Sequence, residues 1–437
     1  MKKVLVITYY WPPSGGAGVQ RALKFVKYLT EFGVQPYVLT VDENKASYPF
    51  TDNTLADEIP ASVKVHRTDT SEPFGIYSRL TGKKSIPTGF SNESNPGLIQ
   101  KSSRFIRGNF FIPDARRGWV KFALKEAKKI LDTENIDTVI TTSPPHSAQL
   151  IGLELKRFYK DRVRWIADLR DPWTDIYYYN EFHHLYFAKK RDLQYESDVL
   201  SKADFVVTVS NELKELFKTK TSGKKNIYVI PNGYDEEDFK DSFTEEKSSG
   251  KSFIISYTGT LADSYNPNIF FHALKKVTTA FPETDIKLRF VGNPSSSLIE
   301  YAKSISLSEN IELIPTVSHN ESVNYLLKSN ALLLVIPEIK NDKGILTGKL
   351  FEYLASRKPV ICIGPPDGEA ASILNECEAG KTFGRNMETE LTQHLSELII
   401  KRKEGTDLNI NIKNDLYKKY SRRSQAGELA KIITNPD

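Results

Sequence analysis

Apolar residues come along this chain in short β-branched runs, separated by stretches in which they recur at every third or fourth position. A short run bounded by turn residues reads as a strand buried on both faces, and the wider spacing is that of an amphipathic helix. Their alternation predicts parallel sheets with helices on both sides, an α/β fold. Strands are expected in the first half at Val4–Thr8, Pro36–Val41, Val63–Arg67, Thr138–Thr142, Val163–Asp168, Phe205–Val209 and Ile227–Ile230. They recur at Phe253–Tyr257, Ile286–Val291, Ile311–Leu313, Ala331–Ile336, Pro359–Ile363 and Lys381–Phe383.

The alternation breaks twice. The segment from Asp235 to Lys251 is charged and poor in apolar residues, the composition of a linker. The expected organisation is therefore a first domain over 1–235, a linker over 236–251 and a second domain over 252–415. A last helical segment, 416–437, has the option of crossing back to the first domain. Two domains also suit a chain of 437 residues, longer than one core usually organises. The second break, Ser71–Arg117, is rich in Gly, Pro, Ser and Asn and reads as a long insertion, of a kind that is functional or mobile.

Composition narrows the class. With 39% apolar and 26% charged residues the chain is globular, and a net charge of +5 is too mild to indicate nucleic acid. The two cysteines, Cys362 and Cys377, form neither a disulfide framework nor a metal spacing, which fits a reducing compartment. The start MKKVLVITYYWPP resembles a signal peptide but breaks at its prolines, so it reads as a first strand. No run approaches the roughly 18 apolar residues that span a bilayer. A cytoplasmic protein, at most peripheral at the inner face of a membrane, is expected.

Chemistry concentrates at four places. Gly15, Gly16 and Gly18 follow the first strand and precede a helix, offering free amides to an anion. A dinucleotide fingerprint is the rival there, supported by Asp42 and weakened by Arg21 at the third glycine. His146 lies in the loop after Asp137–Thr142, and DLRDPW packs Asp168, Arg170, Asp171 and Trp173 at the same edge. An ion pair capping the strand end is the alternative for that group. In TGKLFEYLASRKPVI, Thr347, Gly348 and Lys349 open a helix that bears Glu352 one turn later, a diphosphate site with a ribose acceptor beside it. A surface pair of Lys349 with Glu352 is the plainer account. Finally, Arg104–Trp119 and Asp175–Phe187 interleave aromatic and basic residues, suiting a carbohydrate acceptor, an anionic membrane or simply the insertion's own core.

The segments PPSGGAGVQRALKFVKYL, VIPNGYD, YTGTL, VGN and KLFEYLASRKPVI, in this order, resemble the GT-B glycosyltransferases of family four over roughly Lys3 to Thr434. The resemblance implies two Rossmann-like doubly wound domains facing each other across a cleft, with the donor on the second and the acceptor on the first. It implies a retaining transfer of a sugar from a nucleotide diphosphate to a glycan or lipid-linked acceptor, in surface polysaccharide or glycoconjugate synthesis. By position, Gly15 and Gly16 meet phosphates or acceptor, His146 the transferred sugar, Gly259 and Thr260 the diphosphate, Val317 the base, Lys349 the phosphates and Glu352 the ribose.

Two departures stand out. Gly344 occupies the place of a usual glutamate eight positions before Glu352, and Leu261 and Asn266 replace a usual arginine and lysine. The expected catalytic set is His146, Asp171 and Lys349, with Arg170 assisting the donor and Arg116, Arg117 and Trp173 on the acceptor side. No Asp-x-Asp motif is present, so no metal or other cofactor is expected. A nucleotide-sugar 2-epimerase, a degenerate sugar-nucleotide-binding subunit and a dehydrogenase are the competing classes.

Overall fold

The computed structural model describes residues 1–48, 51–72, 98–240, 252–410 and 415–434. It divides into one unit of Met1–Pro231 with Arg422–Asp437, and a second of Asn232–Ser421.

The first unit is built on seven parallel strands: β1 (Lys2–Ile7), β2 (Val34–Val41), β3 (Lys64–Thr68), β4 (Thr138–Ser143), β5 (Arg164–Leu169), β6 (Phe205–Thr208) and β7 (Ile227–Val229). Their order is β3-β2-β1-β4-β5-β6-β7, so the winding reverses between β1 and β4. Among the described residues six helices lie between them: α1 (Ala17–Leu29), α2 (Leu98–Phe110), α3 (Val120–Glu134), α4 (Ser147–Tyr159), α5 (Tyr186–Lys202) and α6 (Asn211–Lys220). Alternate residues of β1 feed separate cores. Leu5 and Ile7 pack with Ile130, Leu131 and Ile151 of α3 and α4, while Val4 and Val6 pack with Leu23 and Val26 of α1. Burial on both faces is why the strands read as unbroken apolar runs.

The final helix, Arg422–Thr434, belongs to this unit and lies on α1. Leu429 and Ile433 complete the α1-side core. Arg164 Nη1 donates to the Ile433 carbonyl at 2.9 Å.

The second unit repeats the plan with β8 (Ser252–Leu261), β9 (Asp285–Pro294), β10 (Ile311–Ile314), β11 (Ala331–Val335), β12 (Val360–Ile363) and β13 (Gly380–Phe383), in the order β10-β9-β8-β11-β12-β13. Helices α7 (Asn268–Ala280), α8 (Ser296–Ser304), α9 (His319–Leu327), α10 (Gly348–Ser356), α11 (Glu369–Glu376) and α12 (Glu388–Lys403) cover it. Each expected strand is present. β8 and β9 run longer than the apolar pattern because they stay paired as far as Leu261 with Pro294.

Two expectations change. The division falls at Pro231, ahead of the expected linker: Glu236–Phe239 forms a turn of the second unit, Phe239 is buried in its core, and Asp238 accepts from His319 Nε2 at 2.8 Å. Residues 241–251 lie outside the described residues. Within Ser71–Arg117, residues 73–97 are likewise outside them, but the remainder contains helix α2, which the Gly- and Ser-rich composition concealed. Among the described residues no helix is long and apolar enough to cross a membrane.

Candidate active site

In open α/β sheets, ligands gather beyond the carboxyl ends of strands where the winding reverses. In the first unit that edge holds the loops leaving β1, β4 and β5. Gly16, with φ of +97°, turns the chain into α1, whose first amides receive no side-chain cap. One turn into α1, Arg21 forms a buried bidentate pair with Asp168 at the end of β5, with N···O distances of 2.8 to 3.2 Å. Thr142 Oγ1 donates to the same carboxylate at 2.7 Å. The position of a third fingerprint glycine is thus occupied by a helix-to-sheet lock.

Arg170 is also committed. Its Nε donates to Ser143 O at 2.8 Å, Nη2 to Pro144 O at 3.1 Å and Nη1 to Gly18 O at 3.2 Å. The planar fork donates to carbonyls beyond β1 and at the end of β4, so Arg170 ties those two loops together. Asp171 next to it accepts no hydrogen bond from the described residues, and burial raises its pKa while the Arg170 charge opposes the shift.

His146 opens α4 with its ring stacked on the indole of Trp173, centroids 4.4 Å apart and planes 12° from parallel. Its Nδ1 is buried without a partner. Burial and the neighbouring Arg170 bring its pKa down to about 3, so the imidazole is neutral at physiological pH. Trp173 is itself buried, at φ of +43°, and donates Nε1 to Asp192 at 2.9 Å. Tyr179 donates to the other oxygen of Asp192 at 2.9 Å. Trp173 therefore backs His146 from inside. Asp114 caps the same helix start, accepting from Ser147 N at 2.7 Å and Ser147 Oγ at 2.9 Å.

The two expected acceptor arginines are also turned inward. Arg116 is 8% exposed, donates Nη2 to Ser47 O at 2.8 Å and lies over the Tyr9 ring. Arg117 donates Nη1 to Ile112 O at 3.1 Å and stands 5.9 Å from the Tyr195 ring centroid. Each guanidinium is thus engaged by a main-chain carbonyl and a tyrosine ring, although Arg116 Nε is buried without a partner.

In the second unit the reversal lies between β8 and β11, and another set converges there. Gly259 near the end of β8 has φ of +88° and is exposed, as is Thr260. A Cβ at Gly259 would stand 3.0 Å from Lys349 Cε and 3.4 Å from Nζ, so the lysine side chain lies directly along the strand end. Its Nζ is 5.2 Å from the Tyr257 ring centroid, and among the described residues it has no ion-pair or hydrogen-bond partner. Burial lowers its pKa, with Glu352 acting the other way. Thr347 is the N-cap of α10, yet its Oγ1 is buried and unpartnered, and a Cβ on Gly348 would meet open space. Glu352 follows on the same helix. Val317 sits half-buried in the loop between β10 and α9.

Around the glutamate-to-glycine change, Gly344 ends a short turn with Asp342. A cation unforeseen in the sequence stands close by. Arg385, just after β13, donates Nη2 to Ile336 O at 2.8 Å and reaches Glu338 at 3.3 Å and Asp342 at 4.0 Å. Asn266, at one of the altered cationic positions, donates to Glu338 at 2.6 Å. Nothing in the local sequence marks Arg385, because its carboxylate partners are more than forty positions distant.

An ammonium with no ion pair among the described residues, beside a positive-φ glycine and an uncapped helix start, has the charge and free amides that suit a polyanion. Two family models match the chain in succession, "Glycosyltransferase Family 4" over residues 89–238 and "Glycosyl transferases group 1" over 238–415. The chain is a GT-B glycosyltransferase. Solved structures share this glycosyltransferase's fold at low identity. Anabaena Alr3699/HepE in complex with UDP is 13% identical with a TM-score of 0.59, covering 99% of this chain and 100% of that one. WaaG, "a glycosyltransferase involved in lipopolysaccharide biosynthesis", is 11% identical with a TM-score of 0.56 and the same coverage. A putative UDP-N-acetylglucosamine 2-epimerase from Listeria monocytogenes is 15% identical with a TM-score of 0.52, covering 99% of this glycosyltransferase and 96% of that chain. A search by sequence among curated proteins finds no match.

Proposed function

We propose that this glycosyltransferase transfers a sugar, with retention, from a nucleotide-diphosphate sugar to a glycan or lipid-linked acceptor at a membrane surface, in the synthesis of a surface polysaccharide or glycoconjugate. The observation that carries the reading is Lys349, an ammonium with no ion-pair or hydrogen-bond partner among the described residues, lying on Gly259 at the mouth of an uncapped helix. Leaving-group charge grows on the diphosphate as the glycosidic bond breaks. A fixed cation and helix amides lower the barrier because they are oriented before the charge develops. Thr347 Oγ1 supplies a further donor, and Glu352 is assigned to the ribose hydroxyls. HepE, with UDP bound, supports a nucleotide as the donor's handle. In the first unit, neutral His146 and the carboxylate Asp171 are assigned to the transferred sugar and the acceptor, where a neutral imidazole donates or accepts a hydrogen bond without adding charge. With the positive charge supplied by Lys349 and amides, the reaction is expected to need no metal.

The test is a panel of nucleotide sugars incubated with lipid-linked and free glycan acceptors, and each donor alone. Acceptor-dependent release of a nucleoside diphosphate with a new glycoside is the expected result. Conversion of a donor to its C2 epimer without acceptor would replace the reading with an epimerase. No turnover of any donor would leave a binding subunit.

A further inference from the structure

Helix α5 carries two carboxyl groups into the interior, Asp192 and Glu196, 3% and 2% exposed and one turn apart. Burying a carboxyl group is costly unless it is paired. Glu196 has Lys220, whose Nζ lies 2.7 Å away. Among the described residues Asp192 makes no ion pair, and its two oxygens accept from Trp173 Nε1 and Tyr179 OH. An apolar side chain of similar size would serve packing as well or better, so these carboxyl groups answer to something other than stability.

What they hold is one turn of chain. Asp192 holds Trp173 and Tyr179, and Glu196 accepts from Thr174 Oγ1. Trp173 needs holding: its φ of +43° lies in the left-handed region, where a bulky side chain stays only under constraint. Its buried indole lies flat against the ring of His146, with 4.4 Å between centroids and 12° between planes. His146 has no hydrogen bond to orient it. Among the described residues neither ring nitrogen has a partner, and Nδ1 is buried. A histidine that meets a substrate is ordinarily oriented by a hydrogen bond at its second nitrogen. Here an aromatic face takes the place of that bond.

We propose that Trp173 is a positioning residue of the transfer: its indole sets the plane of the His146 ring, and Asp192 sets the indole, so that the imidazole meets the transferred sugar in one orientation. The proposal rests on the reading of His146 as a contact of that sugar. The orientation of the ring is open to measurement without any substrate, so the two readings fail separately.

The experiment is nuclear magnetic resonance of the full chain with isotope-labelled histidine, followed by kinetics on the same variants. His146→Gln assigns the signal among the seven histidines. Protons of a ring lying on an indole face are shifted upfield. The shift is expected in the parent, lost in Trp173→Leu, reduced in Asp192→Leu and retained in Asp192→Asn, which still accepts from Trp173. With the donor that the nucleotide-sugar panel turns over, kcat per folded molecule should fall by roughly 10- to 100-fold in the two leucine variants, at unchanged donor KM, and recover in Asp192→Asn. A purely structural tryptophan would lower Tm and the folded fraction and leave kcat per folded molecule alone. If the leucine variants do not fold, Trp173→Phe keeps an aromatic face but gives Asp192 no donor, and is expected to lower kcat at unchanged donor KM. The expected shifts with no donor turned over would sink the sugar transfer and keep the orientation of His146. An unshifted His146 signal in the parent, a shift that survives Trp173→Leu, equal defects in Asp192→Asn and Asp192→Leu, or normal kcat per folded molecule in Trp173→Phe and the leucine variants would each overturn the proposal.

Discussion

Lys349 and Asp192 are both buried charges, but their surroundings assign them opposite kinds of work. Among the described residues Lys349 makes no ion pair, and burial lowers its pKa while Glu352 opposes the shift, so its charge is costly to the fold. Lys349→Ala is expected to leave Tm equal or higher without ligand, while reducing kcat/KM by roughly 100-fold or more, since deleting one partner of a buried pair costs about 3–5 kcal/mol. A variant with lowered Tm and normal turnover would make the lysine structural. Asp192 is raised to about 6 by burial, despite the Trp173 and Tyr179 hydrogen bonds, with Glu196 and Asp114 adding to the rise. A carboxyl that binds its proton more tightly folded than unfolded stabilises the fold at low pH, and that contribution is lost as pH rises from about 4 to 6. Asp192→Asn still accepts from Trp173 and cannot ionise. Its Tm should exceed that of the parent at pH 8 and approach it near pH 4, as thermal melts across pH would show; a gap independent of pH would contradict the assignment.

At the scale of elements, two glycines that look alike in sequence separate in the structure. Gly152 in α4 packs against Trp165, where a Cβ would fall 2.2 Å from the indole Nε1, itself bonded to Thr141 at 2.8 Å. Gly152→Ala should therefore cost about 1–3 kcal/mol or more of stability, seen in denaturant unfolding. Gly348→Ala meets open space and gains helix propensity, so Tm should hold or rise while the KM for donor increases. Strand positions were legible because residues such as Val4 and Leu5 are buried on opposite faces of one sheet, leaving no polar alternation to blur them. Helix α2 was hidden in a Gly- and Ser-rich stretch. Sequence located the helix start at Thr347, Gly348 and Lys349, where α10 begins. It did not show that Arg116, Arg117 and Arg170 donate to main-chain carbonyls, because nothing in a local pattern tells a guanidinium facing solvent from one engaged by the backbone.

At the scale of the molecule, two doubly wound sheets each reverse their winding where their glycine loop and charged residues collect. The first unit needs the far end of the chain, since Leu429 and Ile433 complete its core; truncation before Arg422 should lower Tm and expose apolar surface, measurable by dye binding. Activity is expected to persist in EDTA, and a chelated rate restored by Mg²⁺ or Mn²⁺ would move the cation's role to a metal. The most direct test of the donor site is calorimetric titration of the full chain and its Lys349→Ala variant with a set of nucleoside diphosphates including UDP. The account predicts saturable binding of at least one by the parent, weakened roughly 100-fold or more in the variant at unchanged Tm; equal affinity in both, or binding of none, would contradict it.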